Sequence, residues 1–409
     1  MRPSALILRG PPRPSAVHLL LATLTAAALA ACDDPAASRA PAAAAAPAAP
    51  PEWTIYRGDP QLSGVAAGAL PDRLEVLWTF AAEGAIVSSP VVADGRVFVG
   101  SDDGNVYALD FATGGKIWSF ATEDIVEAPP LVHDDTVYVG SCDFFFYAID
   151  AATGALRWKY ETDDKIIGGA NRLRPPDGGS RIVVGSYDGR LYCFDAGGGE
   201  PLWTYQTDNY VNGTPAIAGE RIVFGGCDAA LHVVDAATGE GLSRVELCPD
   251  CHIAGSVAIE GDDVFFGHYG NAFVCTSLAT GELRWEHADP RFAFFSSPAI
   301  GADRVVFGGR DKQLHCADRR DGTPLWTFPT RRKVDGSPVI CGDRVVFGSG
   351  DGRLYVLSLA DGTELWSYEI GRSLFSSPAV AGGVILIGSN DGRLYAFGDP
   401  SRVAAPTGP

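Results

Sequence analysis

The chain has 409 residues, 46% hydrophobic and 20% charged, with 32 Lys+Arg against 50 Asp+Glu and a formal net charge of -18. That much apolar material excludes wholesale disorder, and the acidic balance disfavours a protein that grips the nucleic-acid backbone. The 49 glycines carry no collagen period, and the single methionine argues against a Met-rich, re-packing contact surface.

Residues 1–31 carry Arg2, Arg9 and Arg13, then an apolar run from His18 to Ala31, with no acidic residue. This charged-then-apolar layout is that of a secretory signal. The run is too short and too Ala-rich for a membrane span. It ends in Leu29-Ala30-Ala31-Cys32, which resembles the lipobox of bacterial lipoproteins. The resemblance implies that Cys32 is lipidated, becomes the new amino terminus and holds the protein to a membrane through a lipid anchor. The bland alternative is ordinary cleavage that leaves a spare cysteine. Asp33 follows directly and resembles an enterobacterial signal for retention at the inner membrane. That rule varies between bacterial groups, so the choice of inner or outer membrane stays open. Residues 32–51, nearly all Ala and Pro after the two aspartates, read as a semi-stiff tether, and residues 52–73 as a lead-in segment.

From residue 74 one sentence repeats with a pitch of about 40 residues. A glycine ends its second apolar run at Gly100, Gly140, Gly185, Gly225, Gly267, Gly308, Gly348 and Gly388. A tryptophan slot reads Trp78, Trp118, Trp158, Trp203, Ser243, Trp285, Trp326 and Trp366, and Ser243 alone breaks it. Each unit holds four short runs rich in β-branched and aromatic residues, separated by Gly and Asp-Gly turn signals. A period near 40 with four strands per unit predicts an all-β, eight-bladed β-propeller over residues 74–398, followed by a tail at 399–409. The last unit stops at Phe397 without its Trp strand, whereas the first Trp strand, Leu74 to Phe80, precedes any complete unit. That first strand is therefore expected to complete the last blade, and the tryptophans to pack between blades.

The S-P-x-V, D-G-x-L-Y-A-L-D, x-T-G and L-W elements resemble the pyrroloquinoline-quinone (PQQ)-like repeat. Its turn is fullest at Asp110-x-x-Thr113-Gly114, Asp150-x-x-Thr153-Gly154 and Asp235-x-x-Thr238-Gly239. The chain as a whole is similar to lipoproteins of the BamB type, a component of the outer-membrane barrel-assembly machinery. The resemblance implies a periplasm-facing cell-envelope lipoprotein that docks partners, including the barrel-assembly complex, through loops at one rim. PQQ-dependent dehydrogenases share the repeat but carry a vicinal Cys-Cys pair and acidic calcium ligands. Here no two cysteines are adjacent, and the repeated aspartates sit where turns need them. The reading favours a non-catalytic scaffold, expected as a monomer and without nucleic acid. A periplasmic redox protein binding a quinone (PQQ), haem or metal is the alternative.

The rim that carries the two-three turns and the links between blades is uneven in charge. Its early part holds Asp102, Asp103, Glu123, Asp124, Asp143, Asp163, Asp164 and Asp208, and its late part Arg291, Arg310, Lys312, Arg331, Arg332, Lys333 and Arg372. Aromatics that turns do not require collect there too, namely Phe144, Phe145, Phe292, Phe294 and Phe295. Partner binding is therefore expected on this linker rim, through those aromatics with Arg310, Arg331, Arg332 and Lys333. Packing over the central channel is the competing account of the phenylalanines.

Cys248-Pro249-Asp250-Cys251-His252 lies in the link between blades four and five. C-x-x-C-H is the attachment pattern of c-type haem. Cys227, Cys248, Cys251 and either His252 or His268 would suit zinc. A local disulfide is the plainest account, and the oxidising compartment permits it.

Overall fold

The computed structural model describes residues 52–175 and 178–402. The signal segment, Cys32 and the tether to residue 51 lie outside them, as do residues 403–409. Eight antiparallel four-stranded blades follow one another in the chain, the seventh extended by one short parallel strand. The first comprises Val91–Ala93, Arg96–Gly100, Asn105–Asp110 and Lys116–Ala121. The short first strand of each sheet lies innermost, and neighbouring first strands meet around one axis, the first blade beside the last. Strands two and three are buried throughout their middles, Val97 to Gly100 and Val106 to Leu109 in the first blade, because blades cover both of their faces. The fourth strand alternates in exposure and forms the outer edge.

The eighth blade has three strands of its own, Ala379–Ala381, Val384–Gly388 and Arg393–Gly398. Its outer strand is Glu75–Ala81 from the amino side, with Thr79 opposite Tyr395 and Phe80 opposite Leu394. The ring therefore closes by a strand from the amino side of the chain, and Arg393–Gly398 is not left as an open edge. All eight outer strands carry a register shift beside the tryptophan slot. Such bulges sharpen the local twist and blunt the exposed edge.

The tryptophans dock sideways. Asp110 Oδ1 accepts hydrogen bonds from Thr113 N at 2.8 Å and Thr113 Oγ1 at 2.7 Å, which tightens the three-four turn. Gly114 then takes φ +72°, and a Cβ there would lie 2.5 Å from the Trp78 ring of the preceding blade. The Trp78 Nε1 donates to Phe111 O at 3.0 Å. Trp118, Trp158, Trp203, Trp285 and Trp326 face the equivalent Gly154, Gly199, Gly239, Gly322 and Gly362. Trp366 meets Phe397 of the last blade edge-on at 5.4 Å. Where Ser243 replaces tryptophan, Val245 covers Gly281 instead.

The lead-in segment occupies the axis. Trp53 exchanges two backbone hydrogen bonds of 2.9 Å with Val92 of blade one. Thr54, Pro60, Gln61, Ser63 and Gly64 then offer carbonyls to Val132, Ile217, Ile259, Ile300 and Ile340, innermost-strand residues of blades two, four, five, six and seven. Asn171 of blade three reaches Pro60 O with its side chain at 2.8 Å. Val65–Ala66 finally pairs in parallel with Val339–Cys341 of blade seven. Six of the eight innermost strands thus donate a backbone N–H to one crossing segment.

Trp78 contributes both to the closing strand and to the contact between blades eight and one. Trp78→Ala is expected to lower the unfolding free energy by about 3–5 kcal/mol in denaturant titration. An unchanged midpoint would remove this strand from the closure.

Candidate functional site

Each two-three turn is hydrogen-bonded to the link that enters its blade. Asp102 N donates to Ala85 O at 2.8 Å, Tyr187 N to Lys165 O at 2.9 Å and Gly350 N to Lys333 O at 3.0 Å. Turns and links therefore share one rim. Ile86, Val126, Ile166, Val211, Ile253, Phe294, Val334 and Leu374 hold the same link slot, and each is 0% exposed. They fill the notch over the marker glycines; a Cβ on Gly100 would lie 2.5 Å from Val126 Cγ1. Since successive side chains of an extended segment point opposite ways, the next residue of each link turns to the axis. Those residues are Val87, Glu127, Ile167, Asn212, Ala254, Phe295, Asp335 and Phe375, and all of them line one axial cavity of about 530 Å³.

A ring of hydroxyls lies beneath. Gly169 N donates to Thr214 Oγ1, Thr214 N to Ser256 Oγ, Ser256 N to Ser297 Oγ, Ser297 N to Ser337 Oγ, Ser337 N to Ser377 Oγ and Ser377 N to Ser89 Oγ, all at 2.8–3.0 Å. Pro129 interrupts the series because it has neither an N–H nor a hydroxyl. Tyr56 of the lead-in segment closes the centre, its Oη lying 3.0 Å from Ser337 Oγ and 3.4 Å from Ser297 and Ser377 Oγ. The cavity is therefore a blind funnel that opens on the linker rim.

The expected contact residues separate under this geometry. Phe294 is a correction: it belongs to the buried link slot and packs against Phe307 and His315 at 5.5 Å, so it is core and offers no contact surface. Phe295, one residue on, lines the funnel with Tyr269 at 4.2 Å and the Arg310 guanidinium 3.6 Å over its ring. Phe144 is 42% exposed at φ +75°, where other repeats place Gly104, Gly189 or Gly352. Phe145 is half-buried beneath Lys159, whose Nζ stands 3.8 Å from the ring. Phe292 is half-buried beside Arg291.

Charges on the rim divide the same way. Arg331 and Arg332 are exposed. Arg310 reaches both oxygens of Asp335 at 3.2 and 3.3 Å, and Lys333 Nζ lies 2.5 Å from Asp335 as well. Those two cations share a single carboxylate. Asp103 and Asp143 are turn-builders: each accepts from the link, at Glu83 N and Glu123 N, and from Tyr107 and Tyr147 Oη at 2.7 Å. Burial alone would raise the Asp103 carboxyl, but these hydrogen bonds hold it below its ordinary value. Asp102 is raised by burial and by the nearby Glu127 and Asp103 charges, and its Oδ1 has no partner among the described residues.

Further rim residues were not singled out by composition or charge. Tyr210 and Tyr269 are 46% and 47% exposed. Tyr187 stacks on Tyr210 at 4.7 Å with Lys165 above it. Setting the repeats under one another exposes them. The slot between the turn's first residue and its aspartate position reads Asp102, Cys142, Tyr187, Cys227, Tyr269, Arg310, Gly350 and Asn390. It changes in nearly every blade, while its neighbours barely change.

Cys248 and Cys251 are joined as a disulfide. Both sulfurs sit where a Cβ of Gly270 would be, beside His268. In that state neither sulfur is a thiolate for zinc or a thioether bridge to haem. Cys227 Sγ accepts instead from Asn212 Nδ2 at 3.0 Å. Among the described residues no cluster of three or more His, Cys, Asp or Glu is placed to hold a metal ion. A second cavity of about 530 Å³ opens on the other rim, where Arg174 and His133 both meet Asp134.

Fold and hub define an eight-bladed propeller of PQQ-like repeats. The sequence profile for outer membrane protein assembly factor BamB matches residues 71–176, 148–288 and 227–402, and the chain belongs to that family. No curated protein matches it. Among solved structures, BamB from Moraxella catarrhalis is 19% identical, with 80% of this chain and all of that chain covered at a TM-score of 0.68. The computationally designed Ika8 protein is 18% identical over the same shares, 80% and 100%, also at 0.68. The quinohemoprotein alcohol dehydrogenase from Comamonas testosteroni is 14% identical, covering 88% of this chain and 82% of its own at 0.75. At such identities the structural likeness speaks for the fold alone. PQQ is a planar tricarboxylate, so its site needs uncompensated cations around a flat slot. The funnel's two cations, Arg310 and Lys333, both contact Asp335, and with Glu127 the charges of the lining cancel, so this residue set does not fit the quinone.

Burial holds His268 and His287 below the ordinary histidine pKa. A base lowered in the folded state leaves stability unaffected above the unfolded pKa and lowers it as pH falls from there toward the folded value. Urea titrations should therefore show constant stability between about pH 7 and 8 and a decline below about 6.5. A His268→Asn/His287→Asn double variant should flatten that decline.

Proposed function

We propose that the protein is a periplasm-facing lipoprotein scaffold, anchored through Cys32, that docks an envelope protein of the outer-membrane assembly pathway on its linker rim and performs no chemistry on it. One observation carries this reading. The repeat is nearly constant where it builds blades and varies where it lines the funnel mouth. A frame repeated eight times with one varied ring offers a distinct surface to each part of a partner. Membership of the assembly-factor family supports the partner class. Phe144, held at positive φ and exposed, supports the same rim, since backbone strain of that kind collects at binding sites.

Within this reading Arg331 and Arg332, with Lys333 behind them, steer the encounter, and Tyr269, Phe295 and Phe144 supply apolar contact. Phe292 lies at the periphery. An Arg331→Glu/Arg332→Glu variant should associate more slowly with a partner recovered by affinity capture from envelope extracts, and added salt should shrink the difference. A Tyr269→Ala/Phe295→Ala variant should dissociate faster with little change in association. Equal rates for all three proteins would move the interface off this rim.

The anchor is tested separately by fractionation. Cys32→Ser is expected to release the protein into the soluble envelope fraction, and salt-resistant membrane attachment of that variant would rule the lipid anchor out.

A further inference from the structure

The irregularities of the repeat gather at one junction. In five other links a turn aspartate binds a backbone N–H of the entering link: Asp103 to Glu83, Asp143 to Glu123, Asp188 to Asp163, Asp228 to Asp208 and Asp351 to Arg331. A tyrosine or histidine four residues on steadies the aspartate, as Tyr147 and His232 do. Blade five has Gly270 at the aspartate position and Val274 at the tyrosine position. It also follows the blade whose tryptophan slot is Ser243. Into the space left by that missing aspartate side chain the Cys248–Cys251 disulfide is seated.

The two cysteines differ in exposure. Cys248 is exposed, together with Pro249 and Asp250, whereas Cys251 is 2% exposed. The bond spans a sequence separation of 3, so it closes a very small loop. A cross-link stabilises mainly by restricting the unfolded chain, and the effect shrinks with the loop it closes. Access decides which sulfur of a disulfide is attacked, and exposed disulfides are the exchangeable ones.

We propose that Cys248–Cys251 is a thiol–disulfide exchange site that also serves as the clasp of the link into blade five. An incoming thiolate attacks Cys248 Sγ, forms a mixed disulfide there and expels Cys251 as a thiolate. A second thiol attacks the mixed disulfide and releases Cys248. Two thiols are oxidised to one disulfide, the protein's disulfide is reduced to two thiols, and the two protons of the incoming thiols end on Cys248 and Cys251. The protein's own disulfide is the oxidant. The substrate class is a thiol, small or borne by a polypeptide, and the site acts without the docking partner.

The experiment uses the purified folded protein. It is incubated with reduced glutathione, or with a reduced, unfolded two-cysteine polypeptide, then alkylated and mapped by mass spectrometry. Cys248 and Cys251 should become alkylatable in the folded state, with hydrogen exchange rising over residues 247–257 and 268–274 and not in the other links. With oxidised glutathione, Cys251→Ser should trap the adduct on Cys248 at least about tenfold faster than Cys248→Ser traps it on Cys251. Reaction with glutathione alone assigns the site to small thiols, and reaction with both assigns it to polypeptides as well. Resistance of the wild-type bond to both thiols until the protein unfolds would overturn the proposal, as would equal trapping at the two cysteines.

Discussion

The whole ring depends on one close approach, made eight times: a buried link side chain set against the glycine that ends a second strand. Val126 over Gly100 and Ile86 over Gly388 are two instances, and no Cβ fits between them. The contact holds each link down against the hub. Once that side chain faces the blade, the following one has to face the axis, by the alternation of extended backbone. The same contact that packs the core therefore builds the funnel. Substitution in the first slot is a matter of stability, and substitution in the second is a matter of recognition.

Closure is shared among weak terms. An amide-to-hydroxyl hydrogen bond is worth about 1 kcal/mol net, yet six of them run in succession from Gly169 to Ser89 around the hub. Tyr56 joins three of those hydroxyls from the middle. The lead-in segment adds backbone bonds to the innermost strands, so the amino side of the chain both fills the axis and supplies the last outer strand. Ring, filler and closing strand stabilise one another, which is how a repeat whose units cannot fold alone becomes one cooperative body.

Departures from the repeat are concentrated. Blade four lacks its tryptophan, blade five lacks its turn aspartate and the tyrosine that supports it, and the disulfide lies between them. A junction with weaker packing and a covalent substitute differs physically from the seven others, and it borders the varied rim at Tyr269 and Phe295.

Blade number, strand count and the completing strand were legible in the sequence, because each blade must bury two faces and the chain begins with a strand that its last unit lacks. The path of residues 52–73 was not legible: nothing periodic marks Tyr56 or Arg57, and their partners are hydroxyls and carbonyls hundreds of residues away. Phe294 and Phe295 read alike as neighbouring aromatics. Which one is core follows from the phase of the alternation, and that phase is set by Gly267 in a strand of the preceding blade. The signal was present in the chain all the same, since Phe294 aligns with Ile86, Val126 and Leu374, which are apolar in every copy. C-x-x-C-H likewise suits three chemistries in sequence. Only the fold brings both sulfurs over Gly270, where the missing side chain leaves room for them to reach each other. Local repetition determines which elements form and how they close. Contacts between residues far apart in the chain decide which side chains those elements leave for a partner.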